Sequence, residues 1–314
     1  MEIENIKDIL FQYGIDEPIS VKEIGIENLQ STYKVITSSK EYFLKVSQKQ
    51  FTNPIAITSR YHVIENLLNK GVYTPRIIKD IKGNNYLICD DFCIELFEWI
   101  DLSYYSGDMF FKCVDDLCNV FMAYDNIDFI PSITPRMLSL YKQSLLNDCE
   151  NPSFKFIGKN DKIYLGNNNT LIASSLLFLK ENFRRLKEEI ISMPIKYIHA
   201  DLNKTNISYS NVCIYILDFD TTRLGLRIED ISFIFYDICI DENSNSNMGN
   251  RIDYFINKVQ SIYPNINIDI ILFFLIRRIL SILDSQVQWI TQGKKSLIMN
   301  EYINGLKTIS ESLI

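Results

Sequence analysis

The 314-residue sequence predicts an α+β fold in two lobes: a five-stranded antiparallel sheet with one main helix over residues 1–97, then a mainly helical lobe over 98–314. Three observations carry this expectation. Up to about residue 100, apolar residues alternate with polar ones in short runs, the period of half-buried strands. From Ser103 onward they recur every three to four positions, the period of amphipathic helices. Inside the helical part, one polar loop at 199–206 separates two strand-like runs, 197–198 and 212–217.

Composition narrows the function classes. A hydrophobic share of 47% supplies a substantial core. The balance of 32 Lys+Arg against 39 Asp+Glu gives a net charge of -7, which argues against general nucleic-acid binding through phosphate neutralisation. The opening stretch, residues 1–8, is acidic and lacks the basic and apolar regions of a secretion signal, so a cytoplasmic location is expected. The longest apolar run, 270–276, falls far short of the roughly 20 residues that span a bilayer, and no membrane association is expected. Seven cysteines with no C-x-x-C pair indicate neither a zinc site nor a disulfide framework.

The elements follow in order. Ile3, Ile6, Leu10 and Tyr13 lie at helical spacing before Gly14. Strand-like runs at 19–25, 32–37 and 42–47, with turns at 25–31 and 38–40, read as a three-stranded meander. Leu44 and Val46 flank Lys45, so strand alternation sends Lys45 to the opposite face, as either a cleft residue or an ordinary solvent-facing lysine. Asn53-Pro54 reads as a helix cap with proline in the first turn. Ile57, Tyr61, Ile64 and Leu68 then form a stripe that Gly71 ends. Glu65 stands beside that stripe, and His62 precedes it by about a turn. Runs at 76–79, 86–89 and 92–100 complete the sheet, with a turn at 82–85.

Two amphipathic helices come next, through Phe110, Val114, Leu117, Phe121 and Tyr124, and through Leu176, Leu179, Phe183, Leu186 and Ile190. Residues 150–170, rich in Asn, Gly and Lys, form a loop or small hairpin of no assignable function. Residues 229–240 and 266–292, apolar on several faces, read as buried helices.

The loop carries the chemistry. His199, Asp201 and Asn206 stand in the pattern H-x-D-x-x-x-x-N, and Leu217-Asp218-Phe219-Asp220 follows the next strand. The plainer reading is a polar turn between two strands, but the order strand, loop, strand, Asp-Phe-Asp favours a functional one. A metal hydrolase is disfavoured because the chain has only two histidines.

Residues 198–207 and 216–220, followed by Gly225-Leu226-Arg227-Ile228-Glu229-Asp230-Ile231, resemble the motif series of the aminoglycoside phosphotransferase-like and choline kinase-like small-molecule kinases. These have a protein-kinase-like fold, and homoserine kinases of this fold and the spore coat protein S group are relatives. The similarity spans nearly the whole chain, with Ala200 where Gly is common, Ser232 where Ala is common, and a glycine-poor first turn. The resemblance implies transfer of the γ-phosphate of ATP to a hydroxyl of a small molecule, with Mg²⁺. It implies Asp201 as the catalytic acid–base residue and Asn206 and Asp218 as metal ligands. Lys45 would meet the phosphates, Glu65 or His62 would be its helix partner, and Ser31 would lie in the phosphate-covering turn. Phe97 and Trp99 would belong to the hinge that binds the adenine edge. His199 and Asp230 would be structural, and Asp220 would support the metal or bind substrate.

The acceptor is an amino alcohol, amino sugar, aminoglycoside or sugar on this reading. A carboxylate-bearing one would use Arg223, Arg227, Arg277 or Arg278. A choline-like one would use Trp289, Tyr236 and Tyr254. A polycation would use Asp237, Asp241, Glu242 or Asp284. The alternative is a kinase-fold protein with a binding or structural role, such as a spore coat component. A protein kinase is disfavoured because Asp218-Phe219 runs into Asp220 where an activation segment would begin.

Overall fold

Alternation in the first hundred residues builds an antiparallel sheet in the order β1-β2-β3-β5-β4, from β1 (Ser20–Glu27), β2 (Gln30–Ile36), β3 (Glu41–Gln48), β4 (Leu87–Cys89) and β5 (Phe92–Glu98). The computed structural model describes residues 3–15, 18–27, 30–48, 53–101, 103–152, 154–157, 168–210, 213–240, 248–292 and 298–312. Period two divides the strand residues between the two faces. On one face Val35, Leu44, Val46, Ile94 and Leu96 are buried with Ile6, Ile9, Leu10 and Tyr13, three of them from helix α1 (Ile3–Gln12) and Tyr13 just beyond it. On the other, Cys93 packs with Ile57 and Tyr61 of helix α2 (Pro54–Asn69).

Helix α2 begins where the sequence places it. The Asn53 side chain accepts the Ile55 N–H at 2.9 Å, and Pro54 fills the first turn, where its missing N–H costs nothing. It ends at Gly71, whose φ of +80° closes the turn in a conformation glycine adopts without strain.

The expected strand at 76–79 is not one. Ile77 forms an isolated bridge to Phe97, the Ile78 N–H donates to Leu96 O, and the Glu98 N–H donates to Arg76 O. Pro75 before it lacks an N–H, and after it Asp80 turns the chain by accepting the N–H groups of Lys82 and Asn84.

The chain divides into two units. The first is Met1–Tyr104 with Asn206–Arg223, and the second is Tyr105–Thr205 with Leu224–Ile314. This differs from a single boundary near residue 97, because the segment after the polar loop pairs within the first unit. There β8 (Ile207–Ser210) lies between β6 (Ser103–Tyr104) and β9 (Cys213–Ile216). The Ile216 N–H donates to Tyr73 O at 3.0 Å.

The described residues of the second unit are mainly helical around a short strand pair. Strand β7 (Ile195–Ile198) pairs with β10 (Arg223–Leu226), and Gly225 lies so close to the Ile198 side chain that a Cβ there would collide with it. Helices α3 (Phe110–Asp125), α4 (Pro135–Glu150), α5 (Asn169–Ser192), α6 (Arg227–Cys239), α7 (Met248–Ile262), α8 (Ile268–Thr291) and α9 (Met299–Ser312) complete it. The core is α8 packed on α6, α5 and α9, with α7 against α3. Helix α8 is buried on several faces, as its sequence predicts, through Ile270, Phe273, Leu275, Ile279 and Leu283.

Candidate functional site

The face of the first sheet opposite α1 opens into a cleft of about 600 Å³ within the first unit. Apolar walls come from Ile24, Phe43, Ile64, Phe97 and Trp99, and polar groups come from Lys45, Arg60, Asn206, Asp218 and Asp220. Such a mixture, mostly apolar with a few convergent polar side chains, is the usual make-up of a small-molecule site. Lys45 is therefore a cleft residue and not a solvent-facing one: it is 5% exposed, while its strand neighbours Leu44 and Val46 point into the α1 core.

The partner of Lys45 is Asp220. Its ammonium pairs with Asp220 Oδ1, and Arg60 donates to the same oxygen at 2.7 Å. The second arm of the Arg60 guanidinium pairs with Glu95, which stands opposite Lys45 in the β3–β5 ladder and is 2% exposed. The Tyr61 hydroxyl donates to Glu95 as well. Burial alone would raise the Asp220 carboxyl and lower the Arg60 guanidinium. The opposite charges overcome it, holding Asp220 below the usual carboxylate range and Arg60 above its usual value.

Glu65 is not part of this network. It is exposed on α2 and pairs with Lys79 at 3.1 Å. The reason is geometric: five residues at about 100° each put Glu65 roughly 140° around the helix from Arg60. His62 contacts Asn66 of the same helix. Arg60 was legible only as a basic residue next to the buried stripe.

Ser31 does not line the cleft. Its neighbours Gln30 and Thr32 do, because alternation along β2 turns Ser31 to the other face. Residues 28 and 29 of that turn lie outside the described residues. Phe97 and Trp99 line the cleft with their side chains, yet the N–H groups of Glu98 and Trp99 are donated to Arg76 O and Glu41 O. A contact to a base edge through those two N–H groups would have to displace existing bonds. The Trp99 ring carries Lys34 at 4.2 Å and donates its Nε1–H to Asp101 at 2.9 Å.

Asn206 and Asp218 both face the cleft, Asn206 ending a 3-10 turn (Lys204–Asn206) and Asp218 capping the next (Phe219–Thr221). Asp218 holds φ +54° and ψ +75°, a left-handed conformation that costs a non-glycine residue energy and concentrates at functional sites. Among the described residues, no group of three or more His, Cys, Asp or Glu is placed to hold a metal by itself. One carboxylate and one amide oxygen at a cleft fit Mg²⁺, which takes hard oxygen ligands and completes its shell with water and phosphate.

The second unit holds Asp201. Strand β7 leads into His199 and Ala200, whose N–H groups both donate to Asp230, at 2.9 Å and 2.8 Å. Asp230 is fully buried and also receives Arg227 at 2.6 Å, while Arg227 reaches Asp125 at 3.1 Å and the Tyr197 carbonyl at 2.5 Å. A buried guanidinium thus ties the loop to α3 and α6. Ala200 stands at φ +67°, the geometry that explains why glycine suits this position. Asp201 accepts from Arg278 at 3.4 Å and is about a third exposed.

The candidate acceptor residues in the second unit separate by their contacts. Arg227 is structural, Arg277 pairs with Asp148, and Asp284 accepts the N–H groups of Lys155, Phe156 and Ile157. Tyr254 donates to Asp115, and Asp237 accepts the Lys204 N–H. Tyr236 stacks on Tyr302, whose hydroxyl is pushed up to about 12 by burial and by nearby Asp237, Glu301 and Asp201, against the opposing charge of Arg278. Arg278 lies 5.0 Å over the Phe233 ring. Asp241 and Glu242 lie outside the described residues.

No protein-family model matches the chain, and no curated protein sequence matches it either. Solved structures do. An amicoumacin kinase in complex with AMP-PNP, Ca²⁺ and Ami is similar at TM-score 0.68 and 16% identity, over 99% of this chain and 94% of that one. A microcompartment-associated aminopropanol kinase gives TM-score 0.67 and 16% identity, over 99% and 98%. A spectinomycin phosphotransferase in complex with ADP and spectinomycin gives 0.66 and 19%, over 98% and 94%. The chain therefore has the protein-kinase-like fold that these aminoglycoside phosphotransferase-like enzymes share.

Proposed function

We propose that the protein is a small-molecule kinase that moves the γ-phosphate of ATP to a hydroxyl, with Mg²⁺. The observation that carries this reading is the convergence in one cleft of Lys45 with Asn206 and Asp218, groups far apart in sequence and of the types that phosphoryl transfer needs. Fold likeness to kinases along almost the full chain agrees with it.

Transfer demands little covalent chemistry from the protein beyond positioning and charge neutralisation. Asp201 takes the proton of the acceptor hydroxyl as that oxygen bonds to the γ-phosphorus. The bond to the β,γ-bridging oxygen breaks, and ADP leaves with the electron pair. Lys45 offsets phosphate charge. Asn206 and Asp218 would hold Mg²⁺, which when bound neutralises the phosphate oxygens. Asp230 and Arg227 keep the loop in shape, and Arg278 orients the Asp201 carboxylate.

Names of the similar structures point to amino alcohols and aminoglycosides as the acceptor classes to try first. The test is acceptor-dependent ADP release across homoserine, choline, methylthioribose, amino sugars and aminoglycosides, with Asp201→Asn as control. Release above background with one class, lost in the control, is expected. Nucleotide binding with no transfer to any acceptor would favour a binding or structural role instead.

A further inference from the structure

We infer that Arg60 is a second polyphosphate-binding cation beside Lys45, and that Asp220 is an internal stand-in for the phosphate, capping both cations until a nucleotide displaces it. The inference rests on the nucleotide-binding part of the kinase reading. It assigns Arg60 a ligand-binding role, and it gives Asp220 a task other than metal support.

The argument starts from charge. A triphosphate needs cations, and among the described residues that line the cleft the basic ones are Lys45 and Arg60, against Glu98, Asp101, Asp218 and Asp220. Both cations meet at one atom. Asp220 Oδ1 receives Lys45 and Arg60 together, so two donors from two elements, strand β3 and helix α2, converge on a single anionic oxygen. That is the environment a phosphate oxygen requires. The two cations are nearly buried, with side-chain exposures of 7% and 10%, whereas the Asp220 side chain is 32% exposed. The carboxylate is the outermost member of the three and the one with room to leave.

Geometry shows how the exchange would run. Asp220 sits in a one-turn 3-10 segment, and Asp218 at its cap is held in the left-handed region. Arg60 is anchored independently of Asp220, since its other arm is fixed by Glu95 and Glu95 by Tyr61. Its guanidinium therefore stays in place when Asp220 swings out. Arg60 Nε is buried without a hydrogen-bond partner, which leaves the group a donor still to be satisfied. A carboxylate in the same position on α2 would repel the phosphate, whereas Arg60 adds a charge and a planar fork that matches phosphate oxygens.

Calorimetric titration of the full chain with inorganic tripolyphosphate and with ADP, both in EDTA, tests this. Asp220→Asn keeps the side-chain shape and removes the charge. Its tripolyphosphate affinity should rise at least about tenfold, the equivalent of one charge-assisted hydrogen bond regained. With Asp220 kept, Arg60→Lys and the double variant Arg60→Met with Glu95→Gln, which leaves no buried carboxylate unpaired, should each weaken both ligands below wild type; added to Asp220→Asn, the double variant should erase that variant's gain. Unchanged or weaker binding in Asp220→Asn, or wild-type affinity in either Arg60 variant, overturns the inference. Acceptor turnover of the same variants, measured without EDTA and with Mg²⁺ added, separates the two claims. Tripolyphosphate binding that depends on Arg60 with no turnover sinks only the kinase reading, and normal turnover indifferent to Arg60 sinks only this one.

Discussion

Replacing Asp230 by asparagine removes one charge from an enclosed polar group of the loop scaffold. The Asp230 carboxylate is fully buried and accepts three donors: the His199 and Ala200 N–H groups and the Arg227 guanidinium. An amide in its place keeps one acceptor oxygen but turns donor hydrogens toward a backbone N–H or the guanidinium. Arg227, itself 6% exposed, is left with Asp125 as its remaining carboxylate. Breaking a buried pair from one side costs about 3–5 kcal/mol. At about 2–4 °C per kcal/mol for a domain of this size, the melting temperature should fall by roughly 6–20 °C. Urea and thermal melts measure the loss, and hydrogen exchange at the His199 and Ala200 amides locates it. A loss below about 1 kcal/mol, with those amides still protected, would refute the claim that Asp230 holds the loop.

Other expectations are as direct. Ala200→Gly should be neutral or stabilising by up to about 1 kcal/mol in urea melts, since relief of the left-handed φ offsets glycine's entropy cost, while Ala200→Val should destabilise. Glu65→Gln should leave turnover within about twofold of wild type, because an exposed pair with Lys79 contributes little; a large loss would restore Glu65 to the site. Asp220 is held below its ordinary value of 3.8 because Lys45 and Arg60 outweigh burial. Its contribution to stability is complete above that ordinary value and is lost as pH falls through the lower folded one. The acid limb of a stability–pH curve should therefore flatten in Asp220→Asn, and an unchanged limb would contradict the pairing.

Much of the scaffold was legible because local chemistry decided it. Asn53-Pro54 and Gly71 fixed the ends of α2, and the Phe110 and Leu176 stripes announced α3 and α5. Helix α4 was overlooked although Thr134-Pro135 is a cap of the same kind, with Thr134 accepting the Met137 N–H. Its apolar stripe is weak, and only Leu145 and Cys149 are buried. Helix α7 likewise buries few residues of its own, Phe255 and Val259, and packs on α3.

In the candidate site, Lys45, Asn206 and Asp218 were named through the resemblance to small-molecule kinases, whose motifs are short and local, while strand alternation alone left Lys45 open between cleft and solvent. The Arg60–Asp220–Glu95 network could not, because it joins residues 60, 95 and 220, and one sequence carries no sign of which charges meet. Glu95 had a faint signal, an acid in the middle of a strand whose other residues from Phe92 to Phe97 are apolar.

The most direct test of the central claim is one variant measured two ways. Asp201→Asn should lower acceptor-dependent ADP release by about 100-fold to 10,000-fold, the usual worth of a general base, while ADP affinity stays at the wild-type value. Turnover within a few-fold of wild type would contradict the account.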